Sequence, residues 1–299
     1  MILEAAGGLG NQLFIWNLAH LIQDQTKMKV FIAFPAGNKE RPNQLSALTE
    51  ICPHNIKIVE THLFNLTLKI NDKFSAKIPK SKKLINAISG IKESGHPENV
   101  IELEELSKRS IVRGFHQDAN LVKKGWPLYE KELQDVVNAN ANSARCRLLL
   151  DHDEWTKKVN AIHIRRGDYV ENQEVIGCLG LNYYKRALDI VEMNSNYVFS
   201  DSEYVSRELD GIIPVAGHYS PKETSAWETL ALLGTANSII MANSTLSWWA
   251  GLVGLSRGSK VLAPKPWTRG KYFSETYLND ERFRYLEAEF NNINERSQP

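Results

Sequence analysis

The chain has 299 residues, a length that suits two domains of ordinary size or one large α/β domain. Its 42% of hydrophobic residues can form a full core, and its net charge of +1 provides no overall field to hold nucleic acid. The cysteines Cys52, Cys146 and Cys178 have no metal-ligand spacing, which predicts free thiols in a reducing compartment. Because we identify neither a membrane span nor a signal peptide, we expect a cytoplasmic protein.

The first half of the chain combines short apolar runs with less regular stretches. Apolar residues at helical spacing follow Asn11, and another helix is predicted over 128–138. Strands are predicted over 2–6, 30–34, 56–60 and 111–115. The lysines between 65 and 100 predict a solvated face; the alternative is peripheral contact with the inner membrane through anionic lipid or a glycolipid phosphate.

From about residue 157 the pattern alternates strictly between strands and helices. The predicted strands cover 159–164, 197–200, 212–215, 238–241 and 260–263. The helices between and after them cover 182–191, 202–209, 222–234 and 246–255. Such alternation predicts a parallel, doubly wound sheet. We therefore expect an α/β protein of two Rossmann-type domains facing across a cleft, with residues 1–150 and 151–299 on either side of a linker near 143–157.

The most informative motif is His-Ile-Arg-Arg-Gly-Asp-Tyr at 163–169, which directly follows a predicted buried strand. It stands where a strand of an open α/β sheet ends, and such sheets bind ligands there. Strand alternation places His163 and Arg165 on one side and Arg166 on the other, so one arginine can bind phosphate while the other pairs structurally. Asp168 has three interpretations: a catalytic base, a group that orients an arginine, or a turn residue.

Three further polar segments stand at strand-to-helix junctions. The glycine turn at 7–10 lets a ligand approach backbone N–H groups at a helix N-terminus, although the dinucleotide fingerprint fails at Leu13. Asp201 follows a strand and is either a helix cap or an acceptor for guanine N–H groups. Asn-Ser-Thr-Leu-Ser at 243–247 has more polar side chains than capping requires, which predicts phosphate contacts.

The segment Asp151-His152-Asp153 has the form of a metal-binding Asp-x-Asp pattern. It precedes its strand, however, and lies in the predicted linker, whereas a ligand site is expected after a strand. We interpret it as a solvated turn and predict no metal site.

Four segments occur in the order found in the α-1,2-fucosyltransferases of glycosyltransferase family 11, which this chain resembles over almost its whole length. They are Gly-Gly-Leu-Gly-Asn-Gln-Leu-Phe at 7–14, His-Ile-Arg-Arg-Gly-Asp-Tyr at 163–169, Phe-Ser-Asp at 199–201 and Asn-Ser-Thr-Leu-Ser-Trp-Trp at 243–249. Gly114-Phe115-His116-Gln117 is similar to the family's Gly-Tyr-Phe-Gln element, and 264–267 to its Pro-x-x-Trp ending. The chain departs from the family pattern at 15–17, where Ile-Trp-Asn replaces the usual Gln-Tyr-Ala.

The resemblance implies a GT-B-like fold, GDP-β-L-fucose as donor, and inverting transfer to the 2-hydroxyl of a galactose without a required metal or other cofactor. It implies that Arg165 holds the β-phosphate, which leaves Arg166 a structural role. The remaining donor-side candidates are His163 and Asp201 near the guanosine, Asn243, Ser244, Thr245 and Ser247 around the diphosphate, and Gly8, Gly10 and Asn11 at the glycine turn. The acceptor-side candidates are His116, Gln117, Glu171 and Glu174.

Breaking a sugar–diphosphate bond creates negative charge, which a metal-free enzyme must neutralise with side chains and helix N-termini. A single inverting displacement needs a base opposite the leaving group; Asp168 is the candidate, with Glu171 and Glu174 as alternates. The rival interpretations are an α-1,6-type fucosyltransferase, a metal-dependent enzyme that uses Asp151 and Asp153, and a non-catalytic sugar-nucleotide or glycan-binding protein. The expected acceptor is a galactose-terminated glycan of a bacterial surface polysaccharide, as in O-antigen biosynthesis.

Overall fold

The computed structural model describes residues 1–35, 42–51, 54–61, 91–93, 111–192, 194–202, 205, 209, 211–270 and 277–292. The chain divides into two compact units, Met1–Leu133 and Gln134–Pro299. Each unit is built on a parallel β-sheet with helices, so the predicted α/β class with two Rossmann-type sheets is confirmed. The predicted lysine-rich stretch lies outside the described residues, apart from 91–93.

The division between the units falls inside a helix, Glu130–Leu148, and therefore N-terminal to the linker expected near 143–157. Most of this helix belongs to the C-terminal unit, because its polar side chains form hydrogen bonds with residues of that unit. Arg257 donates to Gln134 Oε1 (2.8 Å) and to Asn138 Oδ1 (2.6 Å), and Arg145 Nη1 donates to Thr235 Oγ1 (3.2 Å).

The N-terminal unit has a five-stranded sheet in the order β3-β2-β1-β5-β4, with every neighbouring pair parallel. Its strands are β1 (Ile2–Glu4), β2 (Val30–Pro35), β3 (Ile56–Thr61), β4 (Ile91–Glu93) and β5 (Ile111–Arg113). Its helices are α1 (Leu9–Thr26) and α2 (Ala119–Gly125), with 3-10 turns at Leu45–Ile51 and Trp126–Leu128.

Helix α1 is the core helix of this unit, since 13 of its residues, all between Leu9 and Ile22, are buried. It begins after Gly7, whose φ of 75° is in the left-handed region and whose added Cβ would lie 2.4 Å from Asn11 Nδ2. The buried Gln12 Nε2 donates to Gly7 O in the preceding turn and to Pro42 O in the segment after β2, both at 2.9 Å. The glycine turn at 7–10 therefore forms the start of helix α1.

The C-terminal unit has a six-stranded parallel sheet in the order β12-β11-β10-β6-β8-β9 and a small antiparallel pair, β13 with β7. The strands are β6 (Val159–Ile164), β7 (Cys178–Leu179), β8 (Ser195–Ser200), β9 (Gly217–Tyr219), β10 (Ser238–Ile240), β11 (Lys260–Lys265), β12 (Arg284–Glu287) and β13 (Phe290–Asn291). The helices are α3 (Glu130–Leu148), α4 (His152–Lys158), α5 (Gly167–Glu171), α6 (Leu181–Leu188), α7 (Ala226–Gly234) and α8 (Thr245–Leu255).

The strand predicted over 212–215 is wrong, because the structure forms β9 further along, at Gly217–Tyr219. Pro214 has no N–H to give to a ladder, and Gly211 turns the chain with a φ of 66°. Ile213 nevertheless buries its side chain in the core of the unit. The apolar run at 212–215 therefore reflects burial without strand pairing.

Helix α8 packs very closely on the sheet because it carries glycines on its inner face. An added Cβ at Gly251 would lie 2.9 Å from Met241 Sδ, and one at Gly254 would lie 2.3 Å from Ile239 Cδ1. Trp248 and Trp249 are fully buried, and the Trp248 indole N–H donates to Leu278 O at 2.8 Å. None of the helices that the structure describes has both the length and the apolar character needed to cross a bilayer.

Candidate active site

The two principal polar motifs meet at the point where the order of the C-terminal sheet reverses. From β6 the chain moves outward through β8 to β9, and then returns to place β10, β11 and β12 on the other side of β6. The motif at 163–169 leaves the carboxyl end of β6, and the segment 243–247 leaves that of β10. A crevice between such strands is the expected ligand site of a doubly wound sheet.

The guanidinium of Arg165 is held between two carboxylates. Its Nη2 donates to Asp168 Oδ1 at 2.5 Å, and its Nη1 lies 2.7 Å from Asp201 Oδ2. The guanidinium carbon lies 5.2 Å from the centre of the Tyr169 ring. Burial opposes its charge, but the carboxylates of Asp201 and Asp168 raise the pKa of Arg165 overall. Its charge and orientation are therefore set before any anion binds.

The two carboxylates differ in how firmly they are held. Asp201 Oδ1 also accepts the Arg166 backbone N–H at 2.7 Å. A Cβ added at Gly167 would lie 2.3 Å from Asp201 Oδ2, so the glycine of the motif makes room for this carboxylate. The Asp168 side chain is 43% exposed, against 15% for Asp201. Asp201 is thus the fixed partner of Arg165, and Asp168 is the accessible one.

The Arg166 side chain is fully buried, as its predicted structural role requires. Its Nη1 donates to Leu179 O at 3.1 Å and to Arg165 O at 3.3 Å. It therefore ties the turn after β6 to strand β7.

His163 is a buried, neutral imidazole. Ser247 Oγ accepts the Ala242 backbone N–H at 3.1 Å and lies 2.5 Å from His163 Nδ1, within hydrogen-bond distance. Burial, together with the positive charge of Arg165, lowers the pKa of His163 to about 3. The ring is therefore neutral near pH 7, and its Nε2 has no hydrogen-bond partner among the described residues, which leaves this atom open to a ligand.

The start of helix α8 is not capped by a side chain of the described residues. Ser244 occupies the N-cap position and is buried, yet its hydroxyl makes no hydrogen bond there. Asn243 Nδ2 donates to Gly177 O at 3.1 Å, while its Oδ1 is buried without a partner in the described structure. The N–H groups of a helix N-terminus without a side-chain cap favour an anionic ligand, whereas the Asn243 oxygen can only accept a hydrogen bond. The Ser247 hydroxyl, in contrast, is already hydrogen-bonded to His163.

Tyr169 is a further residue of the candidate site to which the sequence interpretation assigned no role. Its hydroxyl donates to Asn243 O at 3.1 Å, which joins the turn after β6 to the turn after β10. Its ring lies beneath Arg165, and burial raises the pKa of the phenol to about 12. The sequence could have indicated Tyr169, because it is the last residue of the motif at 163–169 that predicted the site.

The alternate base candidates are exposed side chains. Glu171 is exposed on α5. Glu174 is 77% exposed, and its Oε1 is 3.9 Å from Arg269 Nη1, a loose surface pair. Asp151 caps α4 by accepting the Glu154 N–H at 2.8 Å, and Asp153 pairs with Lys157 at 3.1 Å, which accounts for the segment 151–153 without a metal.

The candidates of the N-terminal unit form a second cluster, at the carboxyl edge of its own sheet. Gln117 Nε2 donates to Asn11 Oδ1 at 3.0 Å, which joins the turns after β1 and β5. Gly8 is extended at the N-cap of α1, and Gly10 is buried in the helix. His116 has a left-handed φ of 49°, and burial lowers its pKa to about 4. The order β2-β1-β5-β4 makes this edge a reversal point too.

The sequence profile of glycosyl transferase family 11 matches residues 4–285. The chain belongs to glycosyltransferase family 11. The match includes every site residue described above, from the glycine turn to the segment 243–247. It establishes the chain as a glycosyltransferase.

Two Escherichia coli proteins are relatives of this family 11 chain. The O-antigen biosynthesis glycosyltransferase WbnK is 24% identical over 303 residues, which cover 92% of this chain and 97% of WbnK. An alpha-1,2-colitosyltransferase is 31% identical over 153 residues, 46% of this chain and 49% of that protein. Fucosyltransferase NodZ from Bradyrhizobium gives a TM-score of 0.48 at 13% identity, covering 84% of this chain and 93% of NodZ.

The lowered pKa of His163 predicts that its burial makes the protein sensitive to acid. In the unfolded chain this imidazole takes a proton near its ordinary pKa of 6.5, but in the fold only near 3. The contribution of the neutral His163 to the free energy of unfolding is therefore fully present above pH 6.5 and is lost as the pH falls toward 3. Relative to a His163→Gln variant, which binds no proton, the wild type should lose about 1.4 kcal/mol of unfolding free energy per pH unit below 6.5.

Urea unfolding of both proteins at several pH values between 5 and 8 measures this difference. The other histidines are present in both proteins, so their titration cancels. A difference in unfolding free energy that stays constant over this range would show that His163 does not resist protonation.

Proposed function

We propose that this chain transfers L-fucose from GDP-β-L-fucose to the 2-hydroxyl of a terminal galactose, with inversion at the fucose C1. The observation that carries the proposal is that the guanidinium of Arg165 is linked through Tyr169 to the turn before α8, whose N-cap residue makes no side-chain cap, at the reversal point of the C-terminal sheet. An arginine fork and a helix N-terminus are the groups that bind a diphosphate. Membership in family 11 makes the diphosphate that of a sugar nucleotide.

In this proposal the β-phosphate binds Arg165 in place of Asp168. Asp168 is the exposed partner, whereas Asp201 is held by the Arg166 N–H and packed against Gly167. The diphosphate also meets the first-turn N–H groups of α8 with the hydroxyls of Ser244 and Thr245. These groups neutralise the charge that develops on the leaving diphosphate. His163 Nε2 adds a neutral hydrogen-bonding atom to the same edge.

Releasing Asp168 from Arg165 supplies the base for the reaction. Its carboxylate then accepts the proton of the galactose 2-hydroxyl while the oxygen attacks C1 of fucose. The C1–phosphate oxygen bond breaks as the new glycosidic bond forms, and GDP leaves with its negative charge on the phosphates that Arg165 binds. Donor binding and base activation are coupled in this scheme because both depend on one guanidinium.

The second candidate donor is the GDP derivative of colitose. It is favoured by the relative named an alpha-1,2-colitosyltransferase, with 31% identity over 153 residues. Colitose is L-fucose without the 3-hydroxyl, so the same diphosphate site and the same linkage serve both sugars. For the acceptor, the similarity to the O-antigen biosynthesis glycosyltransferase WbnK supports an O-antigen glycan, and we propose that this glycan ends in galactose and is modified in the cytoplasm.

The experiment that tests the proposal supplies the purified chain with GDP-fucose or GDP-colitose and a panel of terminal galactosides, in the presence of excess EDTA. We expect GDP release with GDP-fucose and an α-1,2 linkage in the NMR spectrum of the product. Full activity in EDTA supports our further proposal that no metal is required. An α-1,6 product, a preference for GDP-colitose, or GDP binding without release of GDP from either donor would each contradict the proposal.

The Arg165→Lys substitution keeps the charge and removes the planar fork that binds two phosphate oxygens. We expect kcat/KM to fall by about 10²-fold or more, as when one donor is removed from a charge-stabilising site. Steady-state assays measure this loss. Arg186→Lys, on the exposed face of α6, is the matched control and should keep its activity. Near-normal activity of Arg165→Lys would exclude the phosphate role.

The Asp168→Asn substitution separates the base from an orienting role. If Asp168 is the base, transfer should fall by about 10²-fold or more, while the Kd for GDP measured by calorimetry stays within a small factor. Asp201→Asn should instead weaken GDP binding, because Asp201 fixes Arg165. Equal losses of GDP binding and transfer in Asp168→Asn would show that Asp168 only orients the arginine.

A further inference from the structure

Phe115 is a large aromatic side chain that the proposed reaction has not yet used. It follows β5 directly, at the carboxyl edge of the N-terminal sheet, and it is 39% exposed. Other rings of this unit, including Phe14, Trp16 and Tyr129, are fully or almost fully buried. A single exposed ring is ordinary on a protein surface. Two features distinguish Phe115 from such a residue: the backbone conformation of its neighbours and its place at the edge of the sheet.

The backbone around Phe115 holds the ring outward. Gly114 has a φ of 127° and His116 a φ of 49°, so two residues with positive φ flank the ring. A left-handed conformation is costly for a residue other than glycine and persists only where the surroundings impose it. On either side, Arg113 pairs with Glu4, and Gln117 donates to Asn11 at 3.0 Å. The exposed ring therefore sits on an anchored turn.

Phe115 lies at an edge of the sheet where a ligand is expected to bind. Strand β5 pairs with β1 at the reversal point of the N-terminal sheet, where doubly wound sheets bind ligands. Gln117, two residues along, uses its Nε2 on Asn11, while its Oε1 has no partner among the described residues. The edge thus combines an apolar ring face with an open hydrogen-bond acceptor.

This combination matches the surface of a galactopyranose. The axial 4-hydroxyl of galactose leaves one face of the ring with a patch of C–H groups at C3, C4 and C5, and its hydroxyls form a polar rim. An aromatic face packs against the C–H patch, and an amide oxygen accepts from a hydroxyl of the rim.

The geometry points to Phe115 as the stacking platform of a subsite for the acceptor galactose, with Gln117 Oε1 as an acceptor for one of its hydroxyls. This inference rests on the proposed function for the identity of the acceptor. It adds a residue that binds the ring of the sugar. Binding of the donor does not depend on Phe115.

Steady-state kinetics at saturating donor test the platform. Phe115→Ala should raise the KM for a terminal galactoside about tenfold, the scale of a lost aromatic contact, with the Kd for GDP unchanged. Phe115→Trp, which keeps a ring face, should restore the KM to near its wild-type value, whereas Phe115→Leu should not. Leu128→Ala is the matched control, since Leu128 in the same unit is also 39% exposed.

A binding measurement without donor keeps this inference distinct from the proposed function. In saturation-transfer NMR with methyl β-galactoside, the H3, H4 and H5 protons should be saturated most strongly by the wild type and weakly by Phe115→Ala. If neither sugar nucleotide supports transfer, the proposed function fails, and the NMR result still decides the platform. A KM for Phe115→Ala within twofold of wild type, or no galactoside signal with the wild type, would overturn the inference.

Discussion

One guanidinium shared by two carboxylates organises the binding edge of the C-terminal unit. Arg165 is oriented by Asp201 and Asp168 and rests on Tyr169, which in turn bonds to the backbone of the segment after β10. A cation that is already oriented needs no reorganisation when charge develops on a leaving group, and this is the main source of electrostatic catalysis. The two carboxylates also differ in exposure, since the Asp168 side chain is 43% exposed and that of Asp201 15%; in the proposed reaction Asp201 stays on Arg165 and Asp168 gives way to the phosphate.

Four strands of the C-terminal sheet, β6, β8, β10 and β11, could be predicted from the sequence because strands covered on both faces appear as continuous apolar runs, whereas β12 was not predicted. All six residues of Val159–Ile164 are buried. The same signal failed at 212–215, where burial occurs without pairing and Pro214 prevents a ladder. In the N-terminal unit, a strand as short as Ile91–Glu93 offers too few residues for any pattern, and it was missed.

The site could be located from the sequence, but its internal partners could not be read there. His163 and Ser247 are 84 residues apart, and nothing local indicates that the serine bonds to the imidazole. Asp201 was expected near the guanosine, yet its carboxylate is engaged by Arg165 and the Arg166 N–H. The departure at 15–17 is core packing, since Trp16 and Asn17 are buried and Asn17 Oδ1 accepts the Tyr129 hydroxyl at 2.7 Å.

The close packing of α8 on its sheet constrains how such an enzyme can diverge. Gly251 and Gly254 bring the helix so near to Met241 and Ile239 that it cannot shift without opening the core. The helix start is therefore fixed relative to β10, whatever sugar the donor carries. In the proposed reaction this fixed helix start binds the diphosphate, so new donor preferences must arise from the side chains around it.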